Sequence, residues 1–200
     1  MDKMTLRDVD LKGKRVVMRV DFNVPMKEGV IKDDTRIQGA LGSIKYVLDN
    51  GGSLVLMSHL GRPKGKGYEP EFSLKPVAEY LAKCLGKPVA FAPDCLKADA
   101  EAAALKPGEV LMLENTRFYK EETAKVKKTD DMTDEQVKAA KAELKAKCEE
   151  MAKKLASYGD IYCNDAFGAA HRAHASTAVI AKYAPVAVSG FLLEKEIQYL

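Results

Sequence analysis

Short apolar runs alternate with longer helical patterns along this chain, and this alternation limits its fold more than any other feature. The runs are rich in Val, Ile and Leu, which is typical of strands buried on both faces of a sheet. Strand–helix–strand repetition at this spacing predicts right-handed βαβ units. We therefore expect a three-layer α/β fold, a Rossmann-like parallel sheet with helices on both faces. The six predicted strands are Lys14–Val20, Ser53–Met57, Pro88–Ala92, Glu109–Leu113, Asp160–Asn164 and Val186–Gly190.

Three helical patterns lie between the predicted strands, each with an apolar residue every three or four positions. Ser73 is the predicted N-cap of the second helix, and Gly86 ends it. The third helix is predicted from about Asp134 to Tyr158, and Thr133 and Gln136 form a capping box before it. Glutamate–lysine pairs four residues apart indicate that its outer face is solvated. The pairs are Glu143–Lys147, Glu149–Lys153 and Glu150–Lys154.

The composition is that of a folded domain without a strong charge bias. The 200 residues fit one domain of ordinary size or two very small ones. A content of 46% hydrophobic and 30% charged residues excludes global disorder. The net charge of +3 is too balanced for a dedicated nucleic-acid binder. The apolar runs are all too short to predict a membrane span.

The cysteines and the N-terminal residues predict a cytoplasmic location. Cys84, Cys95, Cys148 and Cys163 are scattered without a C-x-x-C pair, so neither a zinc site nor a disulfide framework is expected. Reduced thiols are typical of a cytosol-like compartment. Residues 1–14 are dense in charge and lack the apolar stretch of a secretory signal.

Polar segments follow four of the predicted strands and carry all three histidines of the chain. In an open parallel sheet, ligands bind beyond the carboxyl ends of the strands. The segments are residues 21–25, 58–63, 114–118 and 164–174. We therefore expect the functional site at this edge of the sheet.

Arginine is used sparingly in this chain, with seven arginines against 25 lysines. Arg62, Arg117 and Arg172 each follow a different predicted strand, and Arg36 opens the first helix at the same edge. A guanidinium group makes fixed, two-pronged hydrogen bonds to phosphate or carboxylate, which an ammonium group does not. This distribution predicts a small, multiply charged anion as the ligand.

Each of these residues also has a simpler explanation when it is taken alone. Arg36 would be a solvated residue of the first helical turn, and His59 a hydrogen-bonded loop histidine. Asp21 and Asn23 would cap a turn, and Gly168 would only allow a tight turn. The convergence of four separate loops on one edge is what favours a binding site.

Four motifs, in the same order, strongly resemble those of phosphoglycerate kinase. They occupy residues 19–25, 58–63, 113–118 and 164–174. The resemblance is collinear from about residue 5 to residue 200, and it covers the N-terminal half of that family's chain. It implies that residues 1–191 are the N-terminal phosphoglycerate-binding domain and that residues 192–200 start an interdomain hinge helix. The C-terminal nucleotide-binding domain of the family is then expected beyond Leu200.

The resemblance implies a role for each motif residue. Asp21 and Asn23 are expected to hold the hydroxyl and carboxyl end of the glycerate. Arg36 is the expected catalytic residue, placed beside the transferred phosphoryl group. The residues expected to hold the 3-phosphate are His59, Arg62, Arg117 and Arg172, with His171 close by, and further substrate contacts are expected at Phe22, Ser58, Gly61 and Gly168.

The resemblance also implies a reaction and its partners. The family transfers the acyl phosphate of 1,3-bisphosphoglycerate to ADP in glycolysis, reversibly, giving 3-phosphoglycerate and ATP. Mg²⁺ with ADP or ATP is expected on the missing C-terminal domain, and no metal or cofactor is expected on this chain. The chain is expected to be monomeric, to bind neither nucleic acid nor membrane, and to be inactive alone.

Two stretches depart from the family pattern. Thr116 stands where the family usually has Leu or Val, a change beside Arg117 that we expect to be tolerated. Residues Glu121–Thr133 follow no family pattern and receive no role. The charged stretch Lys120–Met132 is predicted to be a surface loop.

Two other functions stay open at this point. The chain would also fit a stand-alone module that binds a phosphorylated metabolite without turnover. A nucleic-acid binder would use the basic region Lys120–Lys154, but this region also contains many acidic residues and has few aromatic residues nearby.

Overall fold

Six parallel strands form the central sheet of the computed structural model, which describes residues 4–166 and 173–193. The strands of the structure, numbered along the chain, are β1 (Arg15–Arg19), β2 (Met26–Lys27), β3 (Val30–Ile31), β4 (Ser53–Met57), β5 (Val89–Ala92), β6 (Val110–Leu113), β7 (Ile161–Asn164) and β8 (Val186–Ser189). The order in the central sheet is β5-β6-β4-β1-β7-β8, whereas β2 and β3 pair only with each other. All six predicted strands are confirmed, each within one residue of its predicted bounds.

Helices cover both faces of this sheet. They are α1 (Thr35–Asp49), α2 (Lys75–Leu85), α3 (Asp99–Ala103) and α4 (Asp134–Ala156). Successive side chains of a strand point to opposite faces. Val16 and Met18 of β1 therefore pack in one core with α1 and α2, whereas Val17 packs in a second core with α3 and α4. The expected three-layer α/β fold is confirmed.

The polar motifs follow four neighbouring strands. β6, β4, β1 and β7 lie side by side and run parallel, so their carboxyl ends lie at the same edge of the sheet. The residues that follow these ends include Glu114, His59, Asp21 and Asp165. The topology thus brings together segments that are far apart in the sequence.

Helix α2 begins one residue later than the predicted cap implies. Its N-cap is Leu74, so the assignment of this position to Ser73 is wrong. The Glu114 carboxylate accepts a hydrogen bond from the Leu74 backbone N–H at 2.7 Å and from the Ser73 hydroxyl at 2.6 Å. A side chain from the loop after β6 therefore satisfies the helix end. The left-handed cap at Gly86 (φ 67°) is confirmed.

The capping box of α4 is confirmed, and of the three glutamate–lysine pairs four residues apart, one forms an ion pair. Glu143 and Lys147 lie 3.3 Å apart. Lys154 instead contacts Asp99 of α3 at 2.6 Å, and the Lys153 ammonium lies 5.2 Å from the centre of the Tyr183 ring. Two of the lysines on this helix are therefore used for tertiary contacts.

A short hairpin follows the first polar loop and is absent from the sequence-based prediction. Met26 pairs with Ile31 across β2 and β3, and Glu28 and Gly29 form the turn with positive φ angles of 53° and 76°. Strands of two residues are too short to show an alternating pattern, which is why the pattern did not predict them.

A helical turn starts at residues 191–193, where the sequence predicts a helix opening. Asp165 accepts hydrogen bonds from the backbone N–H groups of Leu192 (2.9 Å) and Leu193 (3.2 Å), which caps this turn. A Cβ atom at Gly190 would collide with the Asp165 carboxylate, so a glycine is required there. The rest of the predicted hinge segment, residues 194–200, lies outside the described residues.

The buried Asp165 carboxyl makes the stability of the chain depend on pH. Burial raises the pKa of Asp165 to about 6, against the opposing effect of its hydrogen bonds. The pKa of an unfolded aspartate is about 3.9. The native state therefore binds this proton more tightly, and the contribution of Asp165 to the free energy of unfolding falls as the pH rises from about 4 to about 6.

We expect Asp165→Asn to raise the free energy of unfolding at pH 7 by about 1–3 kcal/mol relative to the natural chain. Asparagine keeps an oxygen that accepts the two backbone hydrogen bonds and removes the buried charge. Urea denaturation at several pH values measures the difference between the two chains, which should grow between about pH 4 and pH 6. The exposed Asp49→Asn is the control, and a constant difference for Asp165→Asn would contradict the interpretation.

Among the described residues, no helix has both the length and the apolar character needed to cross a membrane.

Candidate functional site

A cleft of about 840 Å³ opens at the carboxyl edge of the sheet. It lies where the loops after β1, β4 and β6 meet the start of α1. Seven of the residues predicted to form the site line it, which are Asp21, Asn23, Arg36, His59, Gly61, Arg62 and Arg117.

Positive charge dominates this cleft. Among the described residues that line it, six carry a cationic side chain and one, Asp21, carries a carboxylate. Such an imbalance attracts a small anion, since clefts of one charge sign concentrate the opposite ion. The cations are Arg36, Arg62, Lys64, Arg117, Lys120 and Lys125.

Hydrogen bonds join the first loop to the second loop and to helix α1. The Asn23 side-chain oxygen accepts a hydrogen bond from the Gly61 backbone N–H at 2.8 Å. The Arg36 guanidinium donates to the Asn23 carbonyl and lies 3.5 Å from the Asp21 carboxylate. Its side chain is 52% exposed, so it remains available to a ligand.

Gly61 occupies a position that only glycine fits. Its φ angle is +63°, and a Cβ atom there would collide with the ring of Phe72. The backbone of the second loop can therefore turn tightly and direct Arg62 into the cleft.

Phe22 and Ser58, two of the predicted substrate contacts, do not line the cleft. Both are fully buried. The Ser58 hydroxyl accepts a hydrogen bond from the Phe22 backbone N–H at 2.9 Å and donates to the His59 carbonyl at 2.9 Å. These residues join the first two loops to each other beneath the cleft.

Three predicted site residues lie outside the described residues. They are Gly168, His171 and Arg172. Of the four arginines predicted to converge, the structure brings together Arg36, Arg62 and Arg117.

The segment after Arg117 contributes to the cleft, although its sequence predicted a surface loop with no role. Thr123 and Lys125 line the cleft. Glu122 is fully buried, so the prediction of an all-surface loop is wrong at this residue. The Tyr119 hydroxyl donates to Asp94 at 2.6 Å and anchors the segment. No apolar periodicity marks these residues, and only their tertiary contacts reveal their position.

A buried polar network lies directly beneath His59, and the sequence analysis missed it. The Arg19 guanidinium is fully buried and donates to Ser176 Oγ at 2.9 Å. Ser176 in turn donates to Glu122 at 2.5 Å. Burial lowers the pKa of Arg19, while the nearby Glu122 carboxylate opposes that shift. The signal available in the sequence was an arginine within the apolar run of β1.

Within residues 4–166 and 173–193, no cluster of histidine, cysteine and acidic side chains is arranged to hold a metal ion. The four cysteines are free thiols. Burial raises the pKa of Cys148 to about 11, so this thiol is a poor nucleophile at neutral pH.

Comparison with known proteins places the chain in a family. The phosphoglycerate kinase family model matches residues 6–200. The phosphoglycerate kinase of Fervidobacterium nodosum is 54% identical over 202 residues, which cover 100% of this chain and 44% of that protein. The phosphoglycerate kinase of Chloroherpeton thalassium is 52% identical over 202 residues, covering 100% of this chain and 45% of that protein.

Solved structures show the same relationship. The phosphoglycerate kinase of Coxiella burnetii superposes with a TM-score of 0.81 at 37% identity, covering 98% of this chain and 44% of that chain. The phosphoglycerate kinase of Pyrococcus horikoshii OT3 gives a TM-score of 0.78 at 34% identity, with the same coverage. The chain thus spans less than half the length of these relatives. With its sequence matched almost from end to end and its fold shared with the solved structures, the chain belongs to the phosphoglycerate kinase family.

Proposed function

We propose that the cleft binds 3-phosphoglycerate or 1,3-bisphosphoglycerate, and that the chain is the phosphoglycerate-binding half of a phosphoglycerate kinase. One observation carries this proposal. Arg36 from the start of α1, His59 and Arg62 from the loop after β4, and Arg117 from the loop after β6 meet in a single cleft together with Asp21 and Asn23.

The chemistry of the lining residues suits this ligand. A phosphate group needs several convergent donors, and arginine supplies them in pairs with fixed geometry. Arg62 and Arg117 would hold the 3-phosphate, which does not react. Asp21 accepts hydrogen bonds, so it suits the hydroxyl group of the glycerate, and Arg36 lies beside it at the mouth of the cleft.

The proposed reaction needs no general base on this chain. The attacking group is the carboxylate of 3-phosphoglycerate, which is already ionised at neutral pH, as carboxylic acids are. Transfer of a phosphoryl group depends on positioning and on neutralising the charge of a loose, in-line transition state. Arg36 is the residue proposed to make that charge contact.

We propose that the nucleotide site belongs to the part of the longer protein that this chain does not contain. Mg²⁺ with ADP or ATP would bind there and supply the phosphoryl donor or acceptor. Closure of the two halves would exclude water, which competes for the phosphoryl group. The proposed location is the cytoplasm, and this chain by itself is proposed to bind phosphoglycerate without transferring phosphate.

Calorimetry on the 200-residue chain distinguishes the candidate functions. We expect 3-phosphoglycerate to bind, ATP to bind little and an oligonucleotide not to bind. A stand-alone metabolite-binding module would give the same binding, but adding the nucleotide-binding half of a relative would then produce no kinase activity. Failure of 3-phosphoglycerate to bind would contradict the proposal.

We expect Arg62→Ala and Arg117→Ala each to weaken 3-phosphoglycerate binding by about tenfold to a hundredfold. Each substitution removes charge-assisted hydrogen bonds to the 3-phosphate. Calorimetry measures the change in Kd. Lys138→Ala is the control, because it removes one positive charge from the exposed side of α4. If both arginine variants bind as tightly as the control, the cleft is not the phosphate site.

A further inference from the structure

The buried Arg19 guanidinium determines how His59 can carry its ring proton. Arg19 Nη2 lies 2.7 Å from His59 Nδ1. A guanidinium group has only donors, so the ring nitrogen that faces it must be the acceptor. The proton of a neutral His59 ring is therefore on Nε2. A proton on Nδ1 would point an N–H group at another N–H group. In a doubly protonated ring, two positive charges would also be in contact.

The orientation of Arg19 is itself fixed by two further hydrogen bonds. Its Nη1 donates to the Val20 carbonyl, and its Nε donates to Ser176 Oγ at 2.9 Å. The Ser176 hydroxyl then donates to Glu122 at 2.5 Å, and Glu122 also accepts from the Ser176 backbone N–H at 2.8 Å. Along the chain of hydrogen bonds from Arg19 Nε through Ser176 to Glu122, each donor points away from the guanidinium and toward the carboxylate.

Three separate parts of the chain contribute the residues of this network. Arg19 belongs to β1, Glu122 to the segment after β6, and Ser176 to the segment before β8. All three residues are fully buried, while His59 is 9% exposed and lines the cleft. His59 is thus the point at which the buried network reaches the cleft.

We propose that Arg19, Ser176 and Glu122 are positioning residues that hold His59 as a neutral ring with its proton on Nε2. His59 then offers the anion a neutral N–H donor, while the arginines supply the charge. The identity of that anion rests on the proposed function, whereas the protonation state of the ring does not.

The charges around His59 favour the neutral ring. On the buried side, Arg19 contacts the ring directly. Its counter-ion Glu122 does not contact the ring and is linked to Arg19 through the Ser176 hydroxyl. On the cleft side, Arg36, Arg62 and Arg117 share the lining with a single described carboxylate, that of Asp21. The contribution of His59 to anion binding should therefore not change between about pH 5 and pH 8, where an ordinary histidine loses its charge.

Nitrogen-15 NMR of the natural 200-residue chain tests the tautomer without any ligand. Two-bond proton–nitrogen spectra report which ring nitrogen carries the proton, and His59→Gln identifies the His59 signals among the three histidines. We expect the Nε2–H pattern, with no titration of His59 between about pH 5 and pH 8. A proton on Nδ1, or a charged His59 ring at neutral pH, would overturn the proposal.

Two variants test the positioning role. Ser176→Ala removes the acceptor of Arg19 Nε, and Glu122→Gln removes the counter-ion while keeping the side-chain shape. In each folded variant we expect the His59 signals to shift toward a mixture of tautomers, because Arg19 is held less firmly against Nδ1. Ser53→Ala is the matched control, because it removes a hydroxyl from another buried serine, which lies at the amino-terminal end of β4 and away from the cleft. Unchanged His59 signals in folded variants would refute the positioning role.

Calorimetry with 3-phosphoglycerate separates this inference from the proposed function. We expect His59→Gln, which keeps a neutral N–H donor, to bind almost as tightly as the natural chain, and His59→Ala to bind about tenfold less tightly. The ratio of the natural and His59→Gln affinities should stay constant from about pH 5 to pH 8. A ratio that changes with pH would overturn the inference, whereas no binding by any chain would refute only the proposed function.

Discussion

In a chain extended to the full length of its relatives, Arg36→Ala is expected to lower kcat by about 10²–10³-fold and to change the KM for 3-phosphoglycerate far less. The Arg36 side chain is half exposed at the mouth of the cleft, where it contacts the Asn23 carbonyl and the Asp21 carboxylate. It is therefore placed to meet charge that shifts during phosphoryl transfer. The loss corresponds to about 3–4 kcal/mol of transition-state stabilisation.

Steady-state kinetics in the direction that consumes ATP measures this effect. Arg36→Lys keeps the positive charge but not the two-pronged geometry, so we expect it to recover only part of kcat. Lys45→Ala removes an exposed cation from the same helix and serves as the control. If kcat is unchanged in Arg36→Ala, Arg36 has no catalytic role and acts, at most, in binding.

Glu122→Ala is expected to lower the free energy of unfolding of this chain by about 3–5 kcal/mol. The substitution removes the buried carboxylate that balances Arg19 and leaves the Ser176 hydroxyl and backbone N–H without their acceptor. Breaking a buried charge pair on one side leaves the other charge in a medium that solvates it poorly.

Urea denaturation of the natural and variant chains gives the difference in stability. Glu122→Gln should lower the free energy of unfolding by less than Glu122→Ala, because the amide still fills the space and can accept one hydrogen bond. Glu150→Ala, on the exposed face of α4, should change the free energy of unfolding by about 0.5 kcal/mol or less. If Glu122→Ala changes the free energy of unfolding as little as this control does, Arg19 needs no counter-ion.

The architecture and half of the site were predictable because they depend on local patterns and one topological rule. Continuous apolar runs predicted the six strands, and the ends of neighbouring parallel strands necessarily share one edge. Arg36, Arg62 and Arg117 could therefore be expected to meet before any contact was known, and they line the same cleft.

The rest of the site follows from contacts that leave no local trace in the sequence. Arg19 interrupts an apolar strand and Glu122 sits in a charged segment, yet each is stable there because Ser176 reaches both. Lys153 and Lys154 follow the spacing of helical ion pairs, but they find partners on neighbouring elements instead.

The sequence alone determined the family, the layers of the fold and the edge of the sheet at which the arginines meet. These features depend on residue type and order, since burial and strand direction decide them. The tertiary structure alone decided which polar groups are removed from water and which partner each then takes. A buried charge must be balanced by whatever lies near it in space, and Glu122, which balances Arg19 through Ser176, is distant from it along the chain.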